Sequence, residues 1–156
     1  MKYRRLTKEQ FEEMHQEFIN FLAAQSITAD EWEDIKKNKP EVMEQELDVF
    51  SDLIWEGVLN NVKYLEHISP QQLMLFYISD THLNLIAIKI DNNAIDITTD
   101  YGYKWLQQNI NDDSVSLYTS TKAISDDRNK DIFILIEQGA VITKGTLYRY
   151  FEDVLG

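Results

Sequence analysis

Apolar residues recur with helical spacing through the first sixty positions and with strand spacing after them. Phe11, Met14, Phe18, Phe21 and Leu22 follow the intervals of one buried helical stripe, which predicts a helix from a Thr7 cap to about Ala24. Thr7-Lys8-Glu9-Gln10 has capping-box spacing, with Leu6 and Phe11 placed as a hydrophobic staple. The device recurs in Ile27-Thr28-Ala29-Asp30-Glu31-Trp32, predicting a short second helix that ends near Lys37. Pro40 suits the first position of a third helix reaching about Leu59. There Met43, Leu47, Phe50, Ile54 and Val58 form one narrow sector, widened by Val42, Val49 and Leu53.

Leu73 to Ile90 changes the period. Two apolar runs split by Asp80-Thr81-His82 predict a β-hairpin. Both alternating sets of the first run, Leu73/Leu75/Tyr77 and Met74/Phe76/Ile78, are apolar, so this strand is expected at the centre of a sheet and covered on both faces. Val62 to Ile68 reads as an edge strand, and Ile95 to Thr99 as a strand with one wet face. Asp100 is a candidate cap for a short helix weakened by Gly102. Ser114 to Tyr118 reads as a further strand and Ser125 to Lys130 as a charged loop. Asp131 to Glu137 fits strand or helix equally, and Thr143 to Leu155 predicts a terminal helix. The expected fold is therefore α+β: an N-terminal three-helix region packed on an antiparallel meander of about four or five strands, with a short C-terminal helix.

At 156 residues and 44% hydrophobic composition, the chain is expected to form one domain over 1–156, helical over 1–60 and carrying the sheet and short helices over 61–156. No apolar run approaches the ~18 residues of a membrane helix, and MKYRRLTKEQF lacks a secretory signal's apolar core, so a cytoplasmic protein is expected. The absence of cysteine removes disulfides, thiolate chemistry and cysteine-based metal sites. The net charge is −12, from 27 acidic and 15 basic residues. Both parts share the excess, with 14 acids and 7 bases in residues 1–60 and 13 and 8 in the rest. That field disfavours nucleic acid and anionic membranes, and favours a basic or mixed-charge protein partner.

On the polar side of the third predicted helix, Glu44, Asp48, Asp52 and Glu56 fall four residues apart. Like charges at that spacing cost a few tenths of a kcal/mol per pair unless something positive faces them. With Trp55 at their edge, they form the candidate interaction surface. Glu12 and His15 have the Glu-x-x-His spacing of helical-bundle metal sites, with helix-three carboxylates as further oxygens. A di-iron site, however, needs a second such motif and inward carboxylates, and this acidic row opposes the apolar face. His67 and His82 have no nucleophile-elbow serine nearby in sequence, and five glycines give no phosphate-cradling loop. No catalytic, cofactor or metal residue is assigned.

The run from Ala140 to Phe151 resembles, from Thr143 onward, the recognition helix of tetracycline-repressor-type regulators. That resemblance would put Thr143, Lys144, Thr146, Tyr148 and Tyr150 near DNA. Val141 stands where the motif's turn wants glycine, and Glu137 where it wants a small residue. The longer segments RRLTKEQFEEMHQEFINFLAAQSITADEW, FSDLIWEGVL and LEHISPQQLMLF resemble a family of small acidic bacterial proteins known only as a domain of unknown function. The resemblance covers nearly the whole chain and implies no activity, cofactor or site residue. The expected function is a non-enzymatic protein-interaction or regulatory module with an acidic surface. The alternatives are a metal-binding protein or enzyme using His15 and helix carboxylates, and a DNA-binding protein. Abundant apolar surface is compatible with a homodimer.

Overall fold

Thr7 opens the first helix through a reciprocal cap. In the computed structural model, which describes residues 1–156, its hydroxyl accepts the Gln10 N–H at 3.2 Å and the Gln10 side chain accepts the Thr7 N–H at 2.8 Å. Thr28 likewise accepts the Glu31 N–H at 3.1 Å, and Glu31 answers through the Thr28 hydroxyl at 3.2 Å. The helices are α1 (Lys8–Glu13), α2 (His15–Ala24), α3 (Ala29–Asn38) and α4 (Pro40–Asn60). The first predicted helix is thus interrupted at Met14, whose ψ of 26° departs from helical geometry without a proline or glycine to mark it. Residues Met1–Asn60 form one compact unit. Phe50, 1% exposed, is its centre, with the Phe11, Phe18 and Phe21 rings at 5.9, 5.0 and 5.3 Å.

The second unit is Asn61–Gly156. Its strands are β1 (Tyr64–Ser69), β2 (Gln72–Ile78), β3 (His82–Ile90), β4 (Val115–Ala123) and β5 (Val141–Thr143), and its helices α5 (Asp100–Gln108), α6 (Arg128–Glu137) and α7 (Thr146–Leu155). The five strands form one antiparallel sheet in the order β4-β3-β2-β1-β5. The first four are a meander, and β2 is central, as its two apolar sets predict. Leu73, Leu75, Ile86, Ile88 and Ile90 bury one face against Ile95, Ile97, Leu106 of α5, and Tyr148 and Phe151 of α7. On the other face Ile78 and Leu83 meet Ile132 and Leu135 of α6 around a cavity of about 330 Å³. The fold is α+β, with helices first, the sheet next and a short helix last. No helix is long and apolar enough to cross a membrane.

Three local expectations are corrected. Ile95 to Thr99 is not a strand, because the Asp96 carboxylate accepts the Thr98 N–H at 2.9 Å and folds the segment into turns. Ile95 and Ile97 are nonetheless core residues, and Ile97 donates its N–H to Pro70 O at 2.8 Å. Thr99, not Asp100, caps α5, accepting the Gly102 N–H at 3.0 Å. Finally, β1 is an edge only over its second half: β5 pairs with Tyr64–Glu66 and leaves His67–Ser69 without a strand on that side. Asp131 to Glu137 is helical, α6 starting within the expected loop at Arg128 on an Asp127 cap.

Candidate functional site

The acidic row of α4 is met by the chain's own first residues. Asp52 accepts the N–H groups of Lys2 and Tyr3 at 2.6 and 2.9 Å, one on each oxygen. The Lys2 Nζ lies 3.0 Å from Glu56 Oε1, which also accepts the Tyr3 hydroxyl. Arg5 donates through Nε to Asp48 at 2.9 Å, places Nη2 2.7 Å from the same oxygen, and pairs with Glu44. The counter-charge missing from the helix pattern is therefore Lys2 and Arg5. Exposed pairs of this kind contribute about 0.2–1 kcal/mol each, so the row holds the segment by number rather than by any one bond. Burial, then Glu56, pushes the Tyr3 hydroxyl up to about 12, while Asp48 and Glu44 raise the Arg5 guanidinium further. Trp55 is half-buried, with the Tyr3 ring at 6.4 Å and the Arg4 guanidinium 5.1 Å over its face.

A larger feature lies elsewhere in the same unit. Phe11, Phe18, Leu22, Trp32, Met43 and Leu47 line an open groove of about 890 Å³. Phe18 is its pivot, with Trp32 edge-on at 5.3 Å and Phe11 edge-on at 5.9 Å. Except for Leu22 these side chains are only half-buried, and Ile19 beside them is 43% exposed. Of the unit's aromatic rings Phe50 is enclosed, whereas Phe11, Phe18 and Trp32 open onto the groove. The rim carries Lys8, Glu12, His15 and Asp30, all exposed, and a Glu33–Lys36 pair at 2.7 Å. Its volume is that of a ligand or peptide site.

Glu12 and His15 both lie on the groove's rim, and no group of three or more His, Asp or Glu side chains gathers there or elsewhere. In unit two, Nδ1 of His82 lies 2.9 Å from the Thr81 hydroxyl, and His67 lines a cavity of about 440 Å³ with Met74, Phe76 and Tyr118. The segment resembling a recognition helix is divided. Thr143 ends β5, Lys144, Thr146 and Tyr150 are exposed, and Tyr148 is buried with the Tyr64 and Tyr77 rings at 5.8 Å each.

The groove escaped the sequence reading because its residues also satisfy helical core periodicity. The available signal was the density of aromatic residues between Phe11 and Phe50. A family described as of unknown function, DUF6495, matches residues 1–156. Neither the curated proteins nor the solved structures give a match.

Proposed function

Because the chain belongs over its full length to the DUF6495 family, whose function is unknown, we propose its role from its own surfaces. It is a non-enzymatic interaction module whose helical unit receives the apolar face of an amphipathic helix from a protein partner. The observation that carries this reading is the solvent-open aromatic groove. An open trough with a rim of charges suits a helix laid lengthwise better than a small molecule, which needs most of its surface enclosed. With Glu33 and Lys36 paired to each other, Glu12 and Asp30 outnumber Lys8 on that rim, and within a field of −12 the balance calls for lysine or arginine along the flank of the partner helix.

A second reading rests on the acidic row. Glu44, Asp48, Asp52, Glu56 and Trp55 already hold the basic segment Lys2–Arg5, so a basic partner would compete with that segment. One experiment separates the two. Helical peptides with an apolar face and a basic flank are selected from a display library against the whole chain. Binding is then measured with Ile19→Asp, which puts a charge at the groove, and with Glu44→Gln/Asp48→Asn/Asp52→Asn/Glu56→Gln. The groove reading expects Ile19→Asp alone to lose at least tenfold in affinity. Loss only with the amide variant would favour the acidic row. Failure to select any peptide, or equal binding by all three proteins, would end both.

A further inference from the structure

The two edges of the sheet differ sharply. β5 offers three residues, whereas β4 offers nine, VSLYTSTKA, in an unbroken ladder with no proline or bulge and with Lys122 as its one charge. Long open edges normally carry such protections. Leu117 and Tyr118 are 47% and 61% exposed on it.

The phase of the ladder follows from its ends. Asp91 donates its N–H to Ser114 O at 2.7 Å, and Ile124 donates to Thr81 O at 3.0 Å. In an antiparallel pair, hydrogen-bonded positions alternate, so Ser116, Tyr118, Ser120 and Lys122 exchange bonds with β3. Leu117, Thr119, Thr121 and Ala123 then turn their N–H and C=O groups away from the sheet.

We infer that the outward groups of β4 pair with those of a second copy of this chain, antiparallel about a two-fold axis at Thr119. These outward positions map onto one another under that operation: Thr119 faces Thr119, and Leu117 faces Thr121, with bonds in both directions. Lys122 falls opposite Ser116, so no like charges meet within the strand. Outside the strand the same register brings Asp112 of one copy toward Asp126 of the other, a repulsion that weakens as salt screens it. Leu117 and Tyr118 lose their exposure against the partner strand. Closure is built in, because the far edge is broken into two stretches of three residues, β5 and the uncovered His67–Ser69 of β1, and gives a third copy little to pair with. This inference concerns the sheet unit and stands independently of the groove.

The test uses the whole chain in sedimentation equilibrium. Wild type is expected to be a dimer that tightens as salt is raised, and Thr119→Pro a monomer. Proline at 119 removes an outward N–H and none of the bonds to β3. A cysteine-free chain adds a register test that does not depend on the proline variant folding. Thr119→Cys sits about 5.5 Å, Cα to Cα, from its symmetry mate, within disulfide reach. It should therefore oxidise to a covalent dimer. Leu117→Cys and Thr121→Cys should each fail alone and cross-link when mixed. A monomeric wild type at the highest soluble concentration, a folded Thr119→Pro that stays dimeric, or cross-linking indifferent to position would overturn the inference.

Discussion

The hydroxyl of Ser51 accepts the N–H of Leu6 at 3.0 Å, and both residues are buried. The same hydroxyl donates to Leu47 O at 2.7 Å, one turn back in α4. A polar side chain inside an apolar helix sector is thus the anchor by which the first residues are fixed along α4, with Lys2, Tyr3 and Arg5 on the acids beyond it.

Replacing Ser51 with alanine removes the acceptor and leaves the Leu6 N–H buried without its partner. Orphaning one buried donor costs about 1–3 kcal/mol, more than the gain in helix propensity on going from serine to alanine. Urea unfolding of Ser51→Ala should show a lower midpoint at unchanged slope. An unchanged midpoint would mean that the Leu6 N–H finds water in its place.

Ser51 also marks where sequence reading reaches its limit. The Met43/Leu47/Phe50/Ile54 sector, the Thr7 and Thr28 caps and the central β2 strand were legible because each is a local pattern with its own periodicity or spacing. The counter-charges on the acidic row were not, because Lys2 and Asp52 are joined over a separation of 50 residues. The groove was illegible for another reason. Periodicity identifies Phe18 and Trp32 as inward-facing, and it does not reveal that α1, α2 and α3 leave a trough between themselves and α4.

Tyrosine ionisation should report the anchor from another side. Tyr3 is pushed up to about 12 by burial and by Glu56, and burial also raises Tyr103 and Tyr148. A folded-state value above the unfolded one means that the fold binds the phenolic proton more tightly. The resulting stability is complete below about pH 10 and is lost as pH rises toward 12. Phenolate absorbance should show late-titrating tyrosines among the eight. Tyr3→Phe should remove one of them and flatten part of the alkaline loss of stability. Titration of all eight together near pH 10 would contradict this.

Glu66 in β1 is partly buried, and desolvation raises its carboxyl above the usual range. It lies opposite Leu75, whose side chain belongs to the core face of the sheet. The folded state therefore favours the protonated acid. That contribution is present at low pH and disappears as pH rises through the raised value, leaving a charged group in a poor solvent at neutrality. Glu66→Gln should melt higher than wild type at pH 7, with the difference closing as the pH falls and the wild-type carboxyl takes up its proton. A lower melting temperature at pH 7 would show that the charge has a favourable partner.

Gly102 decides between two opposed arguments. On propensity alone, alanine in the first turn of α5 should stabilise by up to about 1 kcal/mol. The backbone of Asp96 and Ile97 crosses directly over this glycine, and a Cβ there would overlap the Asp96 carbonyl oxygen. The obstacle is main chain, held by the Thr99 hydroxyl on Asp96 O at 2.6 Å and by Ile97 on Pro70 O at 2.8 Å, so it cannot swing aside as a side chain would. Overpacking of this kind costs about 1–3 kcal/mol or more and outweighs the propensity gain. Gly102→Ala should therefore unfold at lower urea despite its better helix former. Its loosened Ile95 and Ile97 should appear as faster amide exchange in the 92–99 segment. A variant more stable than wild type would mean that the close approach of the turn to α5 does not hold in solution.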